Sequence, residues 1–242
     1  MPTLNVRGVV INPRLKVNYH SIHPPNDIQR RHLAETLELA RMMVLRTVNE
    51  LQHGNRPPFD LQPIFRRILE SHFHFPPITR GSTETWKHAL DVILWNFGLI
   101  STGLNGPITI SDAYKMFLSE EHESRLPVDA NGRRLLPRGF TIAKPDHINN
   151  RFVPAPHLFD SIHVDFDLLK PPKFDKWSMA NIIIHEAGHK FCGMEDLAYR
   201  NNPAYQNLTA NNALFNNDSY SFTALSVYRR QCITMMVGHA SV

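Results

Sequence analysis

The sequence predicts a single α+β domain that is predominantly helical and contains a small sheet. Apolar residues recur at helical spacing in three stretches of the first hundred residues, residues 161–169 alternate as a half-buried strand does, and residues 178–191 form a largely apolar helical segment. With 242 residues, 42% of them hydrophobic, the chain can bury a sizeable core. We therefore assign residues 1–242 to one domain and interpret residues 1–27 as an N-terminal extension.

The three early helices are predicted from their apolar spacing and from the residues at their ends. Asn26 and Gln29 form a capping pattern at the start of the first helix, and Gly54 is placed to end it. The apolar positions of this helix are Leu33, Leu37, Ala40, Val44, Val48 and Leu51. A second helix is predicted at residues 61–72 and a third at 83–97. All three are interpreted as packing helices.

The second half of the chain contains an irregular stretch, a strand and a further helix. Residues 120–156 are rich in Pro, Gly, Asn and charged residues and lack sustained periodicity, which indicates irregular structure. Residues 161–169 then alternate Ile, Val, Phe and Leu with His and Asp, and Pro171-Pro172 is expected to end this strand. Gly193 is well placed to stop the helix at 178–191.

Charge and composition exclude some classes of function. The chain has 26 Lys+Arg against 22 Asp+Glu, a net charge of +4, and its basic residues are scattered, so nucleic-acid binding is not favoured. No apolar run is long enough for a membrane-spanning helix, and no conventional secretion signal is expected. Cys192 and Cys232 could form one bridge or remain two thiols. We expect a soluble protein whose compartment and oligomeric state stay open.

The segment His185-Glu186-Ala187-Gly188-His189 is an H-E-x-x-H motif on a predicted helix. Residues four apart lie on one helical face, so both imidazoles can reach one ion. Zinc suits this donor type because it accepts neutral imidazole nitrogens and, in catalytic sites, keeps one position for water. Glu186 is placed to take the proton of that water and pass it to a leaving amine. The motif therefore predicts zinc-dependent hydrolysis of a peptide bond.

A third metal ligand is required, and few residues after His189 can supply it. The candidates are Glu195, Asp196, Asp218, His239 and Cys192. Cys192 is better interpreted as a small packed residue or as half of a bridge to Cys232. The choice between Glu195 and Asp196 stays open on the spacing of these residues alone.

Three segments in order resemble the aspzincin family, which includes deuterolysin and the fungal peptidyl-lysine metallopeptidases. They are the HEAGH motif, the D-x-x-Y segment 196–199 and the N-x-D-S-Y segment 216–220, and the resemblance is densest over residues 161–228. It implies an α+β zincin-like metalloprotease fold with one catalytic zinc. It also implies that His185, His189 and Asp196 are the zinc ligands.

The same resemblance implies roles for three further residues. Glu186 is the general base, and Tyr199 donates a hydrogen bond to the oxyanion of the tetrahedral intermediate, a contribution of about a few kcal/mol. Asp218 lines the substrate pocket or braces the site. Two features depart from the family pattern: only six residues separate His189 from Asp196, and Ser221 stands where lysine-specific members have a further acidic residue. A preference for lysine is therefore not implied.

The resulting prediction is a zinc metalloendopeptidase acting on a protein or peptide substrate. Similar domains occur in bacterial secreted toxins and effectors, which suggests delivery by a specialised route. An extended peptide is expected to align with the strand at 161–169. Two alternatives remain: a zinc-stabilised interaction domain without turnover, and a zinc amidase acting on cell-wall peptides.

Overall fold

The computed structural model describes residues 6–21, 23–54, 61–76, 83–113, 139–143 and 159–233. The strands are β1 (Val6–Asn12), β2 (Leu15–His20), β3 (Ile108–Asp112), β4 (Gly139–Ala143) and β5 (Phe159–Val164). The helices are α1 (Asp27–Gly54), α2 (Pro63–Phe73), α3 (Thr83–Asn105), α4 (Lys176–Cys192), the one-turn α5 (Pro203–Gln206) and α6 (Ala210–Ala213), and α7 (Asn217–Arg229). The predicted mixture of many helices with a small sheet is confirmed.

The five strands form one mixed sheet in the order β1-β2-β3-β5-β4. β1 and β2 are antiparallel, β2–β3 and β3–β5 are parallel, and β4 is antiparallel to β5. The segment 1–27, expected as an extension, thus supplies two strands, and Leu15 and Val17 of β2 are buried in the core. β5 lies inside the sheet, so the expectation that it offers an edge to a peptide is wrong.

The strand predicted at 161–169 begins at Phe159 but ends at Val164. A 3-10 turn, Phe166–Leu169, follows it, and the Asp165 carboxylate caps this turn by accepting from the Asp167 backbone N–H at 2.8 Å. Phe166 and Leu169 are buried in this turn, a spacing of three that matches the 3-10 period. The alternation of residue types continued past Val164, but local capping by Asp165 ended the strand.

The helix ends follow the chemistry of their flanking residues. At the start of α1, the Asn26 side chain accepts from the Gln29 backbone N–H and the Gln29 side chain accepts from that of Asn26, which confirms the capping pattern. α3 continues eight residues beyond its predicted end at Phe97, because Ile100 and Leu104 extend its buried apolar stripe.

α4 is the central helix of the molecule. It packs against α1, α3, α7 and β5, and most of its residues are buried. Close approach to α3 depends on Gly103, where an added Cβ would lie 2.4 Å from the ring of Phe191. α4 is therefore held on several sides, which makes it a rigid platform for the polar residues of its last two turns.

One sequence prediction falls mostly outside this description. The stretch 120–156 lies outside the described residues except for β4. No helix within the described ranges is both long and apolar enough to cross a membrane.

Candidate metal centre

Two histidines lie one turn apart near the end of α4. The Asp175 side chain caps the start of this helix by accepting from the Trp177 N–H, and the end is a left-handed turn at Gly193, with φ 66°. Such a backbone angle suits glycine because it has no Cβ. The rings of His185 and His189 are 5.2 Å apart between centroids. The predicted placement of the motif on one helical face is thus observed.

The chain beyond Gly193 returns to these histidines because it pairs with the segment before α7. The Glu195 N–H donates to the Phe215 carbonyl at 2.9 Å, and the Asn217 N–H donates to the Glu195 carbonyl at 3.1 Å. The next residue, Asp196, is held beside the two imidazoles. This pairing allows a connection of only six residues after His189 to bring Asp196 back to the two histidines.

The ligand atoms of the three residues converge on one point. Asp196 Oδ1 lies 3.0 Å from His185 Nε2 and 3.2 Å from His189 Nε2. One nitrogen or oxygen from each residue lies within 4.8 Å of the other two. Two imidazoles and a carboxylate at this separation can hold a metal ion. The structure therefore brings together the three predicted metal ligands, His185, His189 and Asp196.

The second nitrogen of each imidazole has its own partner. His185 Nδ1 lies 2.8 Å from Asp218 Oδ1, and His189 Nδ1 lies 2.7 Å from the Met194 carbonyl oxygen. A carbonyl oxygen or an ionised carboxylate can only accept, so each Nδ1 carries the proton. Both Nε2 atoms are left to coordinate. This is the arrangement in which histidine ligands are held in metal sites.

The charges of the cluster shift the pKa values of its members. Burial lowers the pKa of His185, but hydrogen bonds to Asp196 and Asp218 outweigh it and raise that pKa well above its usual value. Burial alone would raise the pKa of Asp196, but the hydrogen bonds to both histidines hold it far below its usual range. The cluster thus stabilises positive charge between the imidazoles and the carboxylate, and a metal cation can supply that charge.

Asp218 is buried behind His185 at the first turn of α7. Its Oδ1 faces His185 Nδ1, and its Oδ2 accepts from the backbone N–H of Arg200. Both carboxylate oxygens are therefore engaged, and the side chain is only 9% exposed. These contacts are compatible with bracing of the site, and the role of Asp218 towards a substrate stays a prediction.

Tyr199 and Glu186 complete the cluster. The Tyr199 hydroxyl donates to Asp196 Oδ2 at 2.8 Å, and its ring is stacked against His185 with 6.1 Å between centroids. Burial and the adjacent Asp196 raise the pKa of Tyr199, so the phenol stays protonated. Glu186 is 3% exposed, and its negative charge contributes to raising the pKa of both histidines.

The other candidate ligands are not part of the three-residue group. Glu195 pairs through its backbone and its side chain is exposed. The Cys192 thiol donates to the Asn96 carbonyl at 3.4 Å, and burial raises its pKa to about 12. Cys192 and Cys232 are both free thiols. His239 lies outside the described residues.

Sequence reasoning missed the packing residues that support the site. Asn216 is fully buried, and its side-chain oxygen accepts from the Ala198 N–H at 3.0 Å, which holds the turn after Asp196. Gly188 lies against Asn217: a Cβ at Gly188 would lie 2.1 Å from Asn217 Oδ1. Both asparagines belong to the N-x-D-S-Y segment 216–220, so that segment was the sequence signal for these supporting residues.

Comparison with known proteins gives no family assignment. No protein-family model and no curated protein sequence matches this chain. The resemblance to aspzincins stays a prediction, and the side chains of the cluster alone indicate what the site can do.

Proposed function

We propose that this protein is a zinc-dependent metalloendopeptidase with a zincin-like fold, related in its site to aspzincins. The observation that carries the proposal is the convergence of His185 Nε2, His189 Nε2 and Asp196 Oδ1, with Glu186 on the same helix. Two histidines and one carboxylate are a ligand set of catalytic zinc, which needs a further position for water.

The choice of zinc rests on the chemistry of the donors and of their neighbour. Two imidazoles and a carboxylate also suit ferrous iron, but a buried carboxylate next to the first histidine suits hydrolysis, because it can accept the proton of a water. Bound zinc would supply a Lewis acid and lower the pKa of a coordinated water to about 7. Measurement of the bound metal distinguishes the two ions.

Glu186 is proposed as the general base. It follows His185 directly in α4 and is not one of the three ligands. A carboxylate in this position can take a proton from the attacking water and deliver it to the leaving amine. Burial among the helices that surround α4 keeps this side chain in place.

Tyr199 is proposed to have two tasks. Its hydroxyl orients Asp196 by donating to Oδ2. Because the phenol stays protonated, it is also available as a hydrogen-bond donor to the oxyanion that develops during amide hydrolysis. Its half-exposed side chain is stacked beside His185.

β4 is the proposed pairing edge for an extended peptide. It contacts α4, it pairs with β5 on one side, and no strand among the described residues pairs with its other side. Unpaired backbone groups of an edge strand can bind a peptide as an added strand. β4 thus replaces the interior strand β5 in this role.

The test measures metal content and cleavage of a peptide library with the full chain. We expect wild type to contain one zinc and to cleave peptides, E186Q to keep zinc without turnover, and D196A to lose both. E195A is the matched control, because its carboxylate neighbours Asp196 but lies outside the ligand group. It should keep both properties.

The same experiment separates the alternatives. Bound zinc without cleavage of any substrate would indicate an interaction domain that the metal stabilises. Cleavage restricted to cell-wall peptides would indicate an amidase. Delivery out of the producing cell is proposed from the resemblance to secreted effectors, and recovery only from cytosolic fractions under all secretion conditions would contradict it.

A further inference from the structure

Three cationic side chains gather around a pair of aromatic rings contributed by α1, α4 and α7, which pack on one another. The ring centroids of Trp177 and Tyr228 are 5.7 Å apart. Lys176 Nζ and Arg229 Cζ lie 5.5 and 4.9 Å from the centroid of Trp177, and Arg46 Cζ lies 5.8 Å from that of Tyr228. These distances link all five residues into one group, which we name the basic aromatic patch.

The basic aromatic patch reaches the surface on a rigid base. Lys176 and Arg229 are exposed, and the other three members are half-buried. Lys176 and Trp177 begin α4, and Arg229 ends α7. Arg46 Nη1 also donates to the Tyr228 carbonyl at 3.5 Å, which ties α1 to α7. Because packed helices hold these side chains, a ligand would meet a surface that is already arranged.

The three cations of the patch form no ion pair with a carboxylate among the described residues. The ion pairs of that part of the chain involve other groups. Asp175 precedes Lys176, but it is engaged at the start of α4, where it accepts from the Trp177 N–H at 3.1 Å and from the Ser178 hydroxyl at 2.6 Å. The positive charge of the patch is therefore available to a negatively charged partner.

Helix stability does not account for Lys176. It is the first residue of α4, where the helix dipole favours anions, and no acidic residue lies in that first turn. Arg229, in contrast, ends α7 at the position where the dipole favours a cation. A negatively charged partner at the patch would offset the unfavourable position of Lys176.

We propose that the basic aromatic patch is a docking site for an acidic segment, rich in Asp and Glu, of a partner protein. A guanidinium that stacks on a ring still presents N–H groups at its edge, and this fork matches a carboxylate. Nucleic acid is not favoured, because the other basic residues are scattered and offer no track for a phosphate backbone. A lipid surface is not favoured either, since insertion needs protruding apolar side chains and the two rings of the patch are half-buried.

The test measures binding of a fluorescein-labelled peptide of alternating Glu and Ser, beside one of alternating Gln and Ser. The full chain carries E186Q in every sample, so that no peptide is cut. We expect the Glu peptide alone to bind, and its affinity to fall about tenfold in K176Q/R229Q. The single variants K176Q and R229Q should each give a smaller loss. Binding should also weaken as salt is added.

R31Q/K87Q is the matched control, because it removes the same charge from exposed positions on α1 and α3 outside the patch. It should keep the affinity for the Glu peptide. Equal binding of both peptides, or an equal loss in the two double variants, would overturn the docking site. Tighter binding of phosphatidylserine vesicles or of a DNA duplex than of the Glu peptide, lost in K176Q/R229Q, would overturn the acidic segment as its occupant.

This inference is independent of the proposed peptidase function. The patch lies at the start of α4, whereas the two histidine ligands lie in its last two turns. Peptide binding is measured without turnover, so absence of cleavage by wild type would contradict the peptidase and leave the docking site standing.

Discussion

Asp218 hydrogen-bonds the ring nitrogen of His185 that faces away from the metal-binding cluster, at 2.8 Å. A buried carboxylate on α7 thereby sets the proton position and orientation of a ligand on α4. The same carboxylate accepts from the Arg200 backbone and so also positions the segment that follows Tyr199.

This relationship predicts that D218N weakens zinc binding about 10- to 100-fold, because a neutral amide holds and polarises His185 less well. The asparagine nitrogen cannot accept from the Arg200 N–H, which adds to the loss. Zinc affinity is measured by competition with a chelating dye, and D167N, a change at an exposed aspartate, is the control. Unchanged affinity in D218N would show that His185 needs no brace.

The close approach of Gly188 to Asn217 predicts that a larger residue at position 188 would push α4 and α7 apart. A Cβ at this position would lie 2.1 Å from Asn217 Oδ1, so we expect G188A to reduce the free energy of unfolding by about 1–3 kcal/mol. G98A is the matched control: nothing lies within 4 Å of an added Cβ there, and alanine should stabilise α3 by about 0.5–1 kcal/mol. Urea denaturation measures both.

A double variant tests whether this effect arises from the Asn217 contact. The buried Asn217 side-chain amide makes no hydrogen bond to any described residue, so its removal leaves no partner unsatisfied. Adding N217A to G188A should therefore recover most of the stability that G188A loses. Additive losses in G188A/N217A would contradict the proposed contact.

The contacts of Tyr199 predict that its hydroxyl matters more for catalysis than for metal binding. Y199F should reduce kcat by about 10- to 100-fold, because it removes a donor to the oxyanion. Zinc affinity should fall only severalfold, since Asp196 Oδ1 still faces both histidines. Y228F, at a tyrosine that packs against Trp177, is the control. An unchanged kcat together with weaker zinc binding would limit Tyr199 to orienting Asp196.

His72 predicts acid sensitivity of the fold. It is fully buried on α2, with Nε2 3.1 Å from Ser226 Oγ, and burial, followed by the charges of Arg200 and His74, lowers its pKa from 6.5 to about 3. Between these two pKa values, His72 binds a proton in the unfolded chain and stays neutral in the folded chain. The free energy of unfolding is therefore not reduced by His72 above pH 6.5, and it decreases as the pH falls from 6.5 towards 3.

At about pH 5 the expected loss from His72 is about 2 kcal/mol relative to neutral pH. Urea denaturation of the metal-free protein at about pH 5 and about pH 7.5 measures it. H72Q should show a smaller difference between the two pH values than wild type, whereas H53Q, at an exposed position in the last turn of α1, should match wild type. An equal pH dependence in H72Q would show that His72 does not titrate between folded and unfolded states.

Local features of the chain were predictable because their causes are local. The capping pair Asn26 and Gln29, the stop at Gly193 and the helical H-E-x-x-H segment each depend on residues within one or two turns. By contrast, the strand at 161–169 was predicted too long, because the cap formed by Asp165 acts against the alternation. The strands β1 and β2 were missed because β2 pairs with β3, about 90 residues away along the chain, and β1 in turn pairs with β2.

The sequence by itself determined the chemistry available to this protein: two imidazoles one helical turn apart, a carboxylate between them in sequence, and a short list of acidic residues after Gly193. Only the tertiary structure decided which acidic residue meets the imidazoles. The bridge between Glu195 and Asn216 places Asp196 at the histidines, and the packing of α7 against α4 places Asp218 behind His185. These contacts join residues about 20–30 positions apart, and their geometry depends on how helices pack, which residue spacing along the chain does not encode.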